Sequence, residues 1–399
     1  MSMNITEIKA MSRRWQPKLK ALRRQLHQYP ETSPNLTHTH EIIFDKLKPC
    51  KLKQIPLKHS QSLCFDLKGD LPGPNLLFCA NMAGTSLMDY TKDAYHSMIP
   101  GFTHSEVNND AEIASLIGLI WCMHKQRKTL NGTLRILFMA DDINSTSSLR
   151  ELQQHVFKDI KYATHFEFCN RYPKDRIYYA YDYSKPRIDH FSIAYRNNPN
   201  LSQIKSNKTV FMASKLVTQL PIIIKQSLGE LTPVGFKFNK INAQDAHNIQ
   251  PDHIEIEGHL YTYDKEMANA TFSLISDLVQ NQMLGPSALV KTAMIYPPLY
   301  NDTNWMNQLL PIVGQLLDEQ NLIEHPIPML TNSNFSIISE SIPSVQLTLG
   351  TQKFPFDEQS TNLFEESCLS LALNASLSII CHFQDRGDNV LHAKFDGAS

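Results

Sequence analysis

The chain has 399 residues, with 38 Lys and Arg against 39 Asp and Glu, and this length favours two domains over a single core. The balanced charge argues against a nucleic-acid-binding surface, and no apolar run approaches the ~18–20 residues that a membrane span needs. Seven scattered cysteines and only 14 glycines, with no phosphate-binding glycine motif, indicate free thiols in a reducing cytoplasm and no nucleotide loop.

The first half of the chain alternates helical and strand patterns. Such alternation is typical of a largely parallel sheet that helices cover on both sides. In chain order the pattern predicts helices at 4–29 and 37–47, a strand at 63–67, a turn at LPGP (71–74), a strand at 76–80, a helix at 111–127, a strand at 134–140, a helix at 149–157 and a strand at 165–169.

From about residue 187 the order of elements changes to βαββαβ, which predicts a ferredoxin-like α+β domain. Its elements are a strand at 190–195, a helix at 209–224, strands at 234–243 and 253–263, a helix at 265–280 and a strand at 289–296. A helix at 304–319, a strand at 344–349 and a helix at 362–383 follow. We therefore predict a discontinuous α/β domain (1–186 and 294–399) with the smaller domain (187–293) inserted.

Residues 103–120 join a polar turn to an apolar helix. The turn contains Asn108, Asn109, Asp110 and Glu112, and the helix carries a buried stripe at i, i+3, i+4 and i+7 spacing, formed by Ile113, Leu116, Ile117 and Ile120. In α/β enzymes a polar turn between a strand and a buried helix is a common place for metal ligands or catalytic groups. This turn, however, contains neither His nor Cys.

Four motifs make the chain resemble the M20 metallopeptidases and amidohydrolases, particularly the branch that cleaves N-acyl amino acids, with hippurate-type hydrolases. They are LRRQLHQYPE (22–31), NIQPDHIEIEG (248–258), YPPLYND (296–302) and NFSIISESIPSVQLTLG (334–350). The resemblance implies a zinc-exopeptidase-like α/β domain with an inserted lid or dimerisation domain. It also implies a site of two divalent metals with a glutamate as general base, since metals polarise the amide carbonyl and activate water.

The site positions of the family can be carried over one by one. The ligand Cys falls on Val107, the ligand His on Asn109, and only the acid beside it is kept, as Asp110. The base falls on Asp142 and the next ligand on Ile143, or on Asp141 and Asp142 with a one-residue gap; the remaining metal positions fall on Asn81, Ala83, Cys169 and Ser360. Since Val and Ile have no lone pair for a metal, the resemblance implies a degenerate metal site.

The inserted domain offers only weak candidates for binding in the former substrate cleft. His247 and Asn248 lie at the NIQPD motif, and Tyr261 stands where the family has an arginine for the substrate carboxylate.

Two interpretations remain for several of these residues. Asp110, Asp141 and Asp142 either bind a hard cation such as Mg²⁺ or Ca²⁺ or, as we favour, cap the neighbouring turn and helix. Cys169 is either a reactive thiol or, more commonly for a strand cysteine, a small buried hydrophobe. His104 is either a substitute ligand or, as we favour, a surface histidine.

The favoured hypothesis is a non-catalytic M20-like protein without a cofactor. It would act as a scaffold, adaptor or regulatory subunit of a larger, bacterial-type protein assembly in the cytoplasm, with no nucleic-acid partner and no membrane insertion. The apolar face of helix 210–224 is compatible with a homodimer through the inserted domain. The alternative is a divergent hydrolase of N-acyl amino acids or small peptides that uses one or two divalent metals, zinc or manganese.

Overall fold

A computed structural model of the chain describes residues 3–91, 94–196, 207–229, 233–244, 253–284, 287–317, 319–325, 331, 333–352 and 364–385. The chain divides into two compact units. Unit 1 comprises Met1–Asp182, Tyr300–Pro326 and Ile337–Ser399, and unit 2 comprises Tyr183–Leu299 and Ile327–Ser336.

The helices and strands follow one another through both units. The helices are α1 (Ile5–Gln28), α2 (Thr37–Leu47), α3 (Asn109–Lys125), α4 (Thr146–His155), α5 (Asn207–Leu228), α6 (Lys265–Asp277), α7 (Thr303–Gly314), α8 (Phe335–Ser339) and α9 (Cys368–Asp385). The strands are β1 (Lys53–Ile55), β2 (Leu63–Lys68), β3 (Leu71–Asn81), β4 (Asn131–Met139), β5 (Ile160–Pro173), β6 (Ile177–Tyr179), β7 (Asp182–Lys185), β8 (Arg187–Arg196), β9 (Gly235–Gln244), β10 (His253–Thr262), β11 (Leu289–Tyr296), β12 (Leu299–Asn301), β13 (Leu322–Glu324) and β14 (Ser344–Gln352).

Unit 1 is built on an eight-stranded sheet in the order β1-β2-β4-β3-β5-β14-β6-β13. Strands β4, β3, β5 and β14 run parallel to one another, and β13 runs parallel to β6. The pairs β1–β2, β2–β4 and β6–β14 are antiparallel. The predicted α/β class is confirmed, and the sheet is mixed.

Helices α1 and α3 pack closely in the core of unit 1. A Cβ atom at Gly118 of α3 would lie 2.4 Å from Cδ2 of Leu19 on α1, so a larger residue there would require the Leu19 side chain to shift. Leu19 and the stripe residues Ile113 and Ile117 are fully buried. This contact fixes the position of α3, whose first turn contains the candidate site.

Some predicted boundaries differ from the observed ones. The turn predicted at LPGP (71–74) is wrong, because these residues form the irregular start of β3, where the register shifts between Leu71 and Asn75. Proline is tolerated there because the ladder of hydrogen bonds is interrupted. Helix α1 continues through Pro17, helix α7 ends at Gly314, and α9 begins at Cys368, later than predicted.

Unit 2 has the predicted βαββαβ order. Its sheet is antiparallel, in the order β11-β8-β10-β9, so that β9 and β11 are the edge strands. One face of the sheet is apolar and contributes to the core of unit 2 together with residues of α5 and α6, including Phe191, Ile256, Leu220 and Ile275.

All seven cysteines are free thiols. Within the described part of the chain, no helix has both the length and the apolar character that crossing a membrane requires.

Candidate functional site

The first turn of α3 lies beside the carboxyl ends of two parallel strands, as expected for a site in an α/β fold. Glu112 is buried in this turn, and its Oε2 atom accepts hydrogen bonds from the backbone N–H of Asn81 (2.8 Å) and from Asn81 Nδ2 (3.1 Å). His165 Nε2 of β5 lies 2.9 Å from the same oxygen. This carboxylate oxygen is therefore occupied by three donors of the protein itself.

The environment of His165 favours its charged form. Its Nδ1 lies 3.1 Å from Gln346 Oε1, and Gln346 Nε2 donates to Glu167 Oε2 at 3.0 Å, which orients the amide oxygen toward the ring. Both ring nitrogens thus face acceptors. Burial alone would lower the pKa of His165, but the charge and hydrogen bond of Glu112, together with Glu167 and Gln346, outweigh burial and raise the pKa above its usual value. Glu112 and His165 form a buried ion pair.

The second carboxylate of the turn, Asp110, faces α1. Its Oδ2 lies 2.7 Å from His27 Nδ1 and 3.2 Å from Arg23 Nε, and all three residues are buried. Burial would raise the pKa of Asp110, but the charges of Arg23 and His27 hold it well below its usual range. The expected helix cap is correct only in part: Asp110 Oδ1 accepts from the backbone N–H of Ala111 at 2.9 Å in the first turn, but the N-cap residue is Asn108, whose side chain makes no cap bond.

The histidine beside this pair was predicted to lie at the surface, and that prediction is wrong. His104 is fully buried rather than on the surface, and neither ring nitrogen has a hydrogen-bond partner within the described part of the chain. Its ring centroid lies 6.5 Å from that of His27. Burial lowers the pKa of His104 to about 4, so the ring is neutral near pH 7.

Val107 and Asn109, at the positions of the family's ligand cysteine and histidine, lie in the turn that leads into α3. Val107 is half-buried, and Asn109 Nδ2 donates to the carbonyl oxygen of Ala83 at 2.6 Å. Asn108 Nδ2 donates to Phe168 O (3.1 Å) and to Asn170 Oδ1 (3.0 Å). The asparagine amides thus connect the turn to the ends of β3 and β5.

The two aspartates after β4 point away from the turn of α3 or lie at the surface. Asp142 accepts from Ser60 Oγ at 2.6 Å and from the backbone N–H of Gln61 at 2.8 Å, so it holds the loop before β2 rather than capping its own turn. Asp141 is exposed, and Ile143 is fully buried in the core.

These residues do not fit a metal centre. Among the described residues, no group of three or more His, Cys, Asp and Glu side chains could hold a metal ion, so the proposed cation cluster of Asp110, Asp141 and Asp142 is wrong. The physical reason is that the two carboxylates have partners in different parts of unit 1. Asp110 pairs with Arg23 and His27 of α1, whereas Asp142 accepts a hydrogen bond from Ser60 before β2.

Two other predicted site residues lie on strands. Cys169 is half-buried in β5, and Tyr261 lies on β10 in unit 2. His247, Asn248 and Ser360 lie outside the described residues.

Sequence reasoning missed the partners of the two carboxylates. His165 lies inside an apolar strand, where a histidine needs a buried partner, and this was the available signal. The signal for the partners of Asp110 was in the LRRQLHQYPE motif. Arg23 and His27 are four residues apart there and therefore share a face of α1.

No protein-family model matches the chain. Among curated proteins it is 22% identical to an N-acetyl-L-cysteine deacetylase of Bacillus subtilis, over 83% of this chain and 79% of the relative. It is also 23% identical to an N-acetyldiaminopimelate deacetylase of Brevibacillus brevis, over 83% of this chain and 89% of the relative.

Solved structures give the same picture of the fold. A dinuclear-metal-binding M20 peptidase of Bacillus subtilis superposes with a TM-score of 0.76 at 19% identity, over 94% of this chain and 99% of that one. A putative aminohydrolase from methicillin-resistant Staphylococcus aureus gives 0.82 at 15% identity, over 96% and 100% of the two chains. The resemblance is thereby confirmed: the chain is a relative of the N-acyl amino acid amidohydrolases and deacetylases and has the fold of the M20 peptidases.

Proposed function

We propose that this chain is a non-catalytic relative of the M20 amidohydrolases that keeps their fold without their metal chemistry. The observation that carries the proposal is the occupation of Glu112, whose Oε2 accepts from Asn81 and His165 where the resemblance implies metal-facing residues. Val107 and Ile143, at two other ligand positions, offer no lone pair. A metal ion here would have to displace a buried ion pair and find ligands that the turn lacks.

The position of the family's general base supports the same proposal. Asp142 is one methylene shorter than glutamate, and both of its oxygens are used by Ser60 and Gln61. A base misplaced by about 1 Å can by itself cost about 100-fold in rate. In this account Asp142 stabilises a loop and takes no part in proton transfer.

The alternative is a metal-dependent hydrolase of N-acyl amino acids or small peptides with a rebuilt site. What favours it is the character of the relatives, which are named as deacetylases and amidohydrolases. Residues outside the described ranges, including Ser360, would have to supply ligands.

An activity assay separates the two. The purified chain is incubated with N-acetylcysteine, N-acetyldiaminopimelate and short peptides, with added Zn²⁺, Mn²⁺ or Co²⁺ and separately with a chelator. We expect no hydrolysis above the protein-free rate. Hydrolysis that the chelator abolishes, and that Asp142→Ala lowers while the matched exposed variant Asp141→Ala does not, would establish the alternative instead.

For the role without catalysis we propose a scaffold, adaptor or regulatory subunit within a cytoplasmic protein assembly, with a homodimer through unit 2. Helix α5 supports this proposal because it exposes Val210, Phe211 and Ile222, with Phe211 at 67% exposure, while Leu216 and Leu220 are buried. Isolated exposed apolar residues are ordinary, but three on one helix beside an edge strand, β9, form an association surface.

Light scattering after size-exclusion chromatography tests the association. We expect a dimer for the natural chain and a monomer for Phe211→Glu. The matched variant Gln219→Glu adds the same charge to an exposed polar position of the same helix and should stay dimeric. A monomeric natural chain, or equal behaviour of both variants, would contradict this part of the proposal.

A further inference from the structure

Two tryptophans stack against each other at the surface of unit 1. The rings of Trp15 on α1 and Trp121 on α3 have centroids 5.2 Å apart and an interplanar angle of 29°. Trp121 Nε1 donates to the carbonyl oxygen of Lys46 at 3.0 Å, so the C-terminal end of α2 adjoins the pair. Trp15 and Trp121 are half-buried, whereas Trp305 is fully buried, so part of the stacked pair remains open to solvent.

Two lysine ammonium groups lie beside this tryptophan pair. Lys18 Nζ is 4.9 Å and Lys125 Nζ is 4.8 Å from the centroid of the Trp15 ring. Each lysine shares a helix face with one of the tryptophans, since Lys18 follows Trp15 by three residues and Lys125 follows Trp121 by four. An indole ring attracts cations through its electron-rich face. Both ammonium groups are therefore in position before a partner arrives.

The two positive charges are not neutralised by the described part of the chain. Lys18 and Lys125 are exposed, and neither has an ion-pair partner among the described residues. Because both distances are measured from one ring, the ammonium groups are closer together than the Debye length of about 10 Å at 0.1 M salt, and they repel each other. A carboxylate that binds both lysines would relieve this repulsion.

A basic segment extends the positive charge beyond the tryptophans. Residues 46–53 (KLKPCKLK) contain four lysines and no acid, and three of the lysines are exposed, namely Lys48, Lys51 and Lys53. The acid that precedes the segment, Asp45, already pairs with Lys46 Nζ at 3.0 Å. The chain as a whole has a net charge of -1, so this surface differs in sign from the rest of the molecule.

We propose that the tryptophan pair, with Lys18, Lys125 and the basic segment 46–53, is a docking surface for an acidic segment of a partner protein. The proposal names the chemistry of a partner for the adaptor role proposed above and rests on that role. Carboxylates of the segment would pair with the lysines, and its apolar atoms would cover the open part of the indole rings. Tryptophan is enriched among the residues that dominate binding in protein interfaces. A nucleic-acid backbone is the less favoured polyanion, because the chain has no overall basic excess.

The fluorescence anisotropy of a labelled deca-glutamate peptide, titrated with the full chain at low salt, tests the docking surface. We expect saturable binding that Lys18→Glu and Lys125→Glu each weaken at least about fivefold, because each variant turns an attraction into a repulsion. The matched control Lys158→Glu makes the same charge change at an exposed lysine beyond α4 and should leave binding unchanged. At about 1 M salt, where the Debye length is about 3 Å, most of the binding should be lost.

Three results would overturn the docking surface. They are no saturable binding of the peptide by the natural chain, an equal loss on Lys158→Glu, or tighter binding of a deca-thymidine oligonucleotide or of phosphatidylserine vesicles than of the peptide. The circular dichroism spectrum of each variant shows whether it is folded. Failure of the proposed function would instead appear as chelator-sensitive hydrolysis, which this titration does not measure, so the two failures are distinguishable.

Discussion

Asp110 and Glu112 lie two residues apart in the first turn of α3, yet their carboxylates serve opposite sides of unit 1. Asp110 faces α1 and pairs with Arg23 and His27, whereas Glu112 faces the sheet and pairs with Asn81 and His165. The first set belongs to motifs that resemble the family, and the second set departs from its metal site. Asp110 therefore joins α3 to α1, whereas Glu112 joins α3 to the sheet, and in the proposed function the contacts of Glu112 stand in place of a metal.

The contributions of the two sides to the stability of the fold depend on pH in opposite directions. On the α1 side the pKa of His104 is lowered, so the unfolded chain binds more protons and stability falls with falling pH. On the sheet side the pKa of His165 is raised, so its contribution is present below pH 6.5 and is lost as pH rises through the folded pKa.

The largest expected effect comes from breaking the α1 side. Arg23→Met leaves Asp110 with His27 alone and Glu366 with Lys20 and Arg24, and removal of one partner from a buried pair costs up to about 3–5 kcal/mol. Urea denaturation measures the free energy of unfolding. Arg13→Met, at an exposed position of the same helix, should change it by less than about 0.5 kcal/mol. Similar values for both variants would show that the Asp110 pair contributes nothing.

A second effect is the pH dependence due to His104. Its pKa of about 4 against an ordinary 6.5 corresponds to a loss of up to about 3 kcal/mol as pH falls through this window. Arg23, His27, Glu31 and Asp110 share its surroundings. His104→Asn should flatten the stability profile between pH 4 and 6.5, whereas His38→Asn, at a half-buried position outside these surroundings, should not. An unchanged slope in His104→Asn would contradict the buried neutral ring.

Breaking the sheet side should cost less. Glu112→Gln keeps the shape but removes the charge from His165, at an expected cost of about 1–3 kcal/mol. The pKa of His165, followed by NMR, should fall in this variant. Glu106→Gln, exposed in the same turn, serves as control. A His165 pKa that does not move would mean that Glu112 is not its partner.

The smallest effect is expected at Asp142. From the sequence, Asp142→Ala should do nothing measurable, but the contacts with Ser60 and Gln61 predict a loss of about 1–2 kcal/mol without any change in hydrolysis. Asp141→Ala, which is exposed, should have no effect on thermal unfolding. Equal melting temperatures for Asp142→Ala and the natural chain would refute the loop contact.

Much of the fold could be predicted because its signals are local. The alternation of β10 and the stripe of α3 follow from residue spacing alone, and the βαββαβ order follows from their succession. The turn assigned to LPGP failed because proline and glycine also suit an irregular strand start.

The contacts of the candidate site could not be predicted. From the sequence, Val107 and Ile143 predict that metal ligands are missing, but which side chains surround the turn of α3 depends on contacts between distant segments. Glu112 and His165 are 53 residues apart, and Arg23 meets Asp110 where α1 packs against α3 near Leu19 and Gly118. Such pairings cannot be derived from residue spacing.

The central claim, that the turn of α3 holds no metal, is tested most directly by the metal content of the purified chain. Mass-spectrometric analysis should use the full, tag-free chain, so that no added histidines contribute. After incubation with Zn²⁺, Mn²⁺ or Co²⁺ and gel filtration, we predict far less than one ion per chain. One or two ions per chain, lost on Glu112→Gln or Asp142→Ala, would contradict the account.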